Sequence, residues 1–87
     1  MLSEELVMDK ARETMSKEGF DLNRWHPMKV TEEDRTTAPD GTPDIYFKRI
    51  LKHPNHGGVD FTDGKSYRRV QVQLEGDRLI CNVFTPL

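Results

Sequence analysis

The spacing of apolar residues changes along this chain, and each change marks an element. From about Ser3 to Glu18, Val7, Ala11 and Met15 recur at every fourth position with Leu6 and Met8 beside them. Asp9, Lys10, Arg12, Glu13 and Lys17 fall largely on the other side. This spacing predicts an amphipathic helix over about residues 3–18 with one buried stripe. Ser3 suits the N-cap, Glu4 and Glu5 suit the positive end of the helix dipole, and Lys17 suits the negative end. Gly19 can adopt the left-handed backbone that ends a helix, which turns Phe20 back onto Met15. Leu22 and Trp25 then lead toward the core, and Pro27 keeps His26 out of helical geometry.

From Met28 the period becomes two. Met28 and Val30 straddle Lys29, which predicts a short strand over about residues 28–32 before the polar run "TEEDRTTAPDGTP". Within that run Pro39 suits the second position of a turn and Gly41 can take positive φ, so the segment is expected to close a hairpin onto "DIYFKRILK", a long strand over about residues 44–52. Two further strands, over about residues 66–75 and 78–85, flank Gly76-Asp77. A type II′ turn there pairs Leu74 with Leu79, Val72 with Cys81 and Val70 with Val83 on one face. It pairs Gln73 with Ile80, Gln71 with Asn82 and Arg69 with Phe84 on the other. A slip of one residue would scatter the apolar pairs, so this register is the favoured one.

The expected fold is therefore α+β, with one N-terminal helix packed on a three- to four-stranded antiparallel sheet and residues 1–87 forming one domain. The expected core is Val7, Ala11, Met15, Phe20, Trp25, Phe47, Val70, Val72, Leu74, Leu79, Cys81 and Val83. A chain of 87 residues has room for one such core, and its 34% apolar and 32% charged residues leave little of it spare. No apolar run approaches the length of a membrane span, and the acidic N-terminus does not read as a secretory signal. The single cysteine, Cys81, excludes an internal disulfide and a thiolate zinc site. Together these features point to a cytoplasmic chain. The net charge of −2 divides unevenly: residues 1–44 carry 6 basic and 11 acidic groups, residues 45–87 carry 7 and 4. The C-terminal half is thus the more cationic, without the strong basic field of a duplex-DNA protein.

Three groups of residues invite a chemical reading. In "KHPNHGGVDFTDGK", His53 and His56 with Asp60 and Asp63 are proper ligand types for a divalent metal. Pro54 and Gly57-Gly58 make the stretch a loop that does not orient the rings, so solvated histidines are expected there and no metal is assigned. Pro43-Asp44 with Asp63-x-Lys65 matches the letters of the PD-(D/E)xK nucleases, but the second half sits in turn chemistry where that family has a strand. Cys81 is expected against the core, as an inert small hydrophobe. No catalytic residue and no cofactor are assigned, and a metal-dependent hydrolase or nuclease ranks last.

The third group is the outer face of the sheet. Tyr46, Lys48, Ile50 and Lys52 share one side of their strand, and Tyr67, Arg69, Gln71, Ile80 and Phe84 share one side of the hairpin. If the two sides coincide, the face interleaves cations with aromatic rings, and Tyr46, Lys48, Tyr67, Arg69 and Phe84 are the candidate binding residues. Such a face suits a protein partner, with a single-stranded nucleic acid as the alternative. It is also open to a second copy of the chain, forming a homodimer through the sheet face, or to cover by a loop.

In element order, a helix ending at Gly19-Phe20 followed by the hairpin-rich "TPDIYFKRILKHPNHGGVDF" and "KSYRRVQVQLEGDRLI" resembles the cystatin-like and nuclear-transport-factor-like small α+β domains, including bacterial immunity proteins of that shape. The resemblance implies a small non-enzymatic binding module, such as an inhibitor, immunity or accessory protein. It does not extend to cystatin inhibitory activity. The Gln-x-Val-x-Gly tip of that family is here Gln71-Val72-Gln73-Leu74-Glu75-Gly76, and the chain ends Phe84-Thr85-Pro86-Leu87 with no Pro-Trp.

Overall fold

The computed structural model describes residues 1–52, 60–61 and 66–85. His53, His56, Asp63 and Lys65 lie outside the described residues, and with them the loop reading and the second half of the nuclease-like pattern.

One helix, α1 (Glu4–Lys17), packs on a four-stranded antiparallel sheet, an α+β fold. The sheet is built from β1 (Trp25–Met28), β2 (Ile45–Arg49), β5 (Tyr67–Glu75) and β6 (Arg78–Phe84), in the spatial order β1-β2-β5-β6. A separate two-stranded ladder joins β3 (Leu51–Lys52) to β4 (Asp60–Phe61). Among the described residues no helix is long and apolar enough to cross a membrane.

The ends of α1 follow the sequence signals. The Ser3 hydroxyl accepts the Leu6 N–H at 3.3 Å, and Glu4 and Glu5 occupy the first turn. At the other end the Gly19 N–H donates to Ser16 and the Phe20 N–H to Met15. With Gly19 at φ +93, these are the two bonds of a Schellman closure. Val7, Ala11 and Met15 are buried against Trp25, Phe47, Val70 and Val72. Phe20 meets Trp25 edge to face at 5.2 Å. The Arg68 guanidinium covers both rings, 4.9 Å from the Trp25 centroid and 5.6 Å from that of Phe20, and so closes one end of the core with a cation on aromatic faces.

The β5–β6 hairpin has the register expected from its apolar pairs: Leu74 opposes Leu79, Val72 opposes Cys81 and Val70 opposes Val83. Gly76 has φ +64, while among the described residues, Asp77 included, no non-glycine residue has positive φ. A turn with positive φ at its first central residue alone is the type II′ form.

Three expectations need correction. The first strand lies at Trp25–Met28 rather than 28–32, because Trp25 to Met28 pair with Arg49 to Tyr46. Beyond it, Thr31 starts a turn whose carbonyl accepts from Asp34 and Arg35. The strand expected over 44–52 is divided at Ile50, whose N–H donates to Arg24 at 2.7 Å. Its two parts, β2 and β3, belong to different sheets. Leu74 is not core: it points to the helix side but remains 48% exposed. A helix of 14 residues spans about 21 Å whereas nine strand residues span about 30 Å, so the hairpin tip extends past its cover. The Pro39 turn is present, with the Gly41 N–H donating to Ala38 and Gly41 at φ +88. It closes a small hairpin of its own, with Thr37 bridged to Pro43.

Candidate functional site

The two sides that the sequence left to be matched do coincide. Tyr46 lies opposite Arg69 and Lys48 opposite Tyr67 between β2 and β5, and Arg69 lies opposite Phe84 between β5 and β6. On the other flank Met28 faces Tyr46 and His26 faces Lys48. The outer face therefore carries one row running Met28, Tyr46, Arg69, Phe84 and a second running His26, Lys48, Tyr67. Directly opposed residues on one face of an antiparallel sheet lie close enough to interact. Arg69 shows this by stacking 4.1 Å over the Phe84 ring.

The five candidate residues do not share one environment. Tyr46 is only 9% exposed. Residues 34–37 pass over it: its hydroxyl bonds to Thr36 Oγ1 at 3.0 Å and accepts the Thr36 N–H at 3.4 Å. Lys48 and Tyr67 are half-buried, and Phe84 is exposed. Arg69 Nη1 donates to Asp44 Oδ2 at 3.0 Å, and the Asp44 side chain is fully enclosed. That same carboxylate oxygen accepts the Thr36 hydroxyl and, at 3.4 Å, the Gln71 amide. Gln71 also donates to the Thr37 carbonyl. A buried carboxylate is tolerable only when charge and hydrogen bonds converge on it; here one guanidinium, one hydroxyl and one amide converge on Oδ2, while Oδ1 has no partner among the described residues.

Asp44, Thr36 and Gln71 are thus central to this face although sequence reasoning did not assign them to it as site residues. Asp44 has the same strand parity as Tyr46 and Lys48, which was a usable signal. Nothing in the spacing of Thr36 showed that its segment folds back over the sheet.

Between the covering segment and the hairpin lies a groove of about 620 Å³, lined by Met28, Val30, Tyr67, Arg69, Phe84 and Thr85 with Tyr46, Thr36 and Asp34 at its floor and wall. Its chemistry is mixed: thioether and valine on one flank, a ring and a neutralised cation on the other. A smaller cleft of about 370 Å³, where Leu2, Val7, Met8 and Ile45 meet the polar side chains of Glu4, Lys29 and Arg35, opens where the start of the helix passes the sheet. Cys81 is half-buried on the helix side, and burial pushes its thiol pKa up, away from the reactive thiolate. Among the described residues no group of three or more His, Cys, Asp or Glu side chains is placed to hold a metal ion.

Scans against protein-family models, curated proteins and solved structures return no match for this chain.

Proposed function

We propose that the chain is a small non-enzymatic protein-binding module that engages its partner through the outer sheet face, with Lys48, Tyr67 and Phe84 as the contact residues and Arg69 and Tyr46 holding the surface in shape. An inhibitor, immunity or accessory protein of cystatin-like form would act in this way. The observation that carries the reading is the Arg69–Asp44 pair. It cancels the central cation of the face, so the groove beside Phe84 offers aromatic and apolar area rather than a cationic track. Aromatic residues and Arg are enriched at protein interfaces.

Single-stranded nucleic acid is the second reading, favoured by the row of Lys48, Tyr67 and His26, on which a base could stack beside a phosphate. A labelled oligonucleotide separates the two. Nucleic-acid binding must weaken steeply as salt rises, whereas the protein-binding reading expects no uptake at low salt. The direct test installs a photo-crosslinking amino acid at Tyr67 or Lys48, with Glu5 on the wet side of α1 as control. One discrete adduct in cells from the face positions and none from Glu5 is the expected result. Equal labelling from all three positions would overturn the reading.

A further inference from the structure

The two edges of the sheet are built differently, and the difference points to what meets one of them. The Arg49 N–H donates to the Ser66 carbonyl across β2 and β5. Because bonding alternates along an antiparallel strand, the even-numbered residues of β5 bond to β2 and the odd-numbered ones to β6. Their partners Arg78, Ile80, Asn82 and Phe84 therefore turn their backbone groups inward. Leu79, Cys81 and Val83 turn theirs out to the free edge. At the opposite edge the Ile50 N–H bonds to Arg24, which by the same alternation leaves Trp25 and Pro27 of β1 facing outward. Pro27 has no N–H to offer, and β1 is only 4 residues long. A short strand with proline at an outward position is a protected edge. β6 has 7 residues, no proline and no lysine, its ladder with β5 runs without a bulge, and its one charge, Arg78, stands at the tip. Among the described residues no strand pairs with its outer side.

We infer that β6 pairs antiparallel with β6 of a second copy, with the two-fold axis passing at Cys81. This register engages all three outward residues of each copy, setting Leu79 against Val83 of the second copy and Cys81 against its own counterpart, for about six ladder hydrogen bonds. Any shifted register leaves one of the three unpaired. On the outer face it places Ile80 against Asn82 and Phe84 against Arg78 of the second copy. Phe84 already accepts one guanidinium from Arg69 and remains 38% exposed. The row Met28, Tyr46, Arg69, Phe84 would then continue across the dimer. The inference stands apart from the proposed function, since it is read out as mass.

Sedimentation equilibrium of the reduced protein is expected to give twice the 10.1 kDa chain mass. The double variant Ile80→Lys/Asn82→Lys, which sets like charges against each other across the axis, is expected to give the single-chain mass with an unchanged circular dichroism spectrum. Asn82→Lys alone, at an exposed position, should weaken the dimer at least tenfold, and serves if the double variant does not fold. A wild type that stays monomeric throughout a concentration series overturns the inference. So does a dimer that survives the lysines, or one that Lys48→Glu dissociates while Asn82→Lys does not.

Discussion

The two faces of β5 bury residues by opposite means. Toward the helix, Val70 and Val72 stand beside Phe47 in a dry cluster, each with almost no exposed area. Away from the helix, Arg69 and Gln71 reach the enclosed Asp44 under residues 34–37, and burial there is held by hydrogen bonds. The first arrangement depends on volume and tolerates any apolar residue of similar size. The second depends on identity, because each partner satisfies a group that would otherwise be stranded. A residue that looks like a free surface cation in a strand alternation, Arg69, is thereby a structural part of the fold. Its charge reversal would set two carboxylates against each other and disturb the surface it was meant to probe, so Lys48 and Tyr67 are the better positions from which to test binding.

The largest effect should come from breaking the dry side. Phe47 is the largest fully buried side chain, and Phe47→Ala should cost about 3–5 kcal/mol, a large part of the roughly 5–15 kcal/mol that holds a small domain together. Urea unfolding should show a midpoint shifted sharply down, or no cooperative transition. A shift under about 1 kcal/mol would mean that the helix does not cover the sheet as described.

Breaking the polar side comes next. Asp44→Ala leaves Arg69, Thr36 and Gln71 without their shared acceptor and should cost about 1–3 kcal/mol, toward the lower end because Arg69 is 31% exposed and water can replace part of the loss. Arg69→Met in the same background should cost little more, giving a coupling energy of about 1 kcal/mol in a double-mutant cycle. Strictly additive single effects would show that the two faces do not differ in kind.

This contrast also explains what could be read from the chain. The helix, its two ends and the β5–β6 register were legible because each rests on local chemistry: a capping serine, a glycine at φ +93, and apolar pairs that only one alignment brings together. The coincidence of Tyr46 and Lys48 with Arg69 and Tyr67 was half legible, since parity within each strand was known and the pairing between strands was not. Cover by a loop was an open alternative for this face, but that residues 34–37 supply it, and over Tyr46, was not legible. It depends on where residues 34–37 return in space, and a polar loop carries no periodicity to announce its landing place. The same limit misplaced the first strand, whose bounds are set by its pairing with β2 and not by the alternation of Met28 and Val30.

A smaller effect should follow pH at the turn before β2. The Asp40 carboxylate accepts the Thr42 N–H at 2.9 Å. That backbone bond, joined by the Thr42 hydroxyl, holds its pKa below the ordinary aspartate value. A depressed acid stabilises the folded turn above its unfolded pKa of about 4, and the contribution is lost as pH falls through the lower folded value. The hydrogen-exchange protection factor at Thr42, which compares its rate with that of an unfolded amide at the same pH, should therefore fall as the carboxylate is protonated below about pH 4, while the protection factors at Val70 and Val72 hold. An equal fall at all three would mean that acid acts on the whole domain rather than on the turn. Asp40→Asn should remove the pH dependence at Thr42.

The smallest effect tests where the dry side ends. Leu74 continues the alternation of Val70 and Val72 and opposes Leu79, so by pattern alone it belongs to the core. It is nevertheless 48% exposed, because α1 stops short of the hairpin tip. Val72→Ala removes two methyl-sized groups from a site that is almost fully enclosed and should cost about 2 kcal/mol. Leu74→Ala removes more carbon from a site that water already reaches, and should cost about 0.5 kcal/mol. The larger truncation having the smaller effect is the signature of a helix that covers only part of its sheet. If the two costs were equal, or Leu74→Ala the greater, something beyond α1 would have to cover the tip of the hairpin in solution.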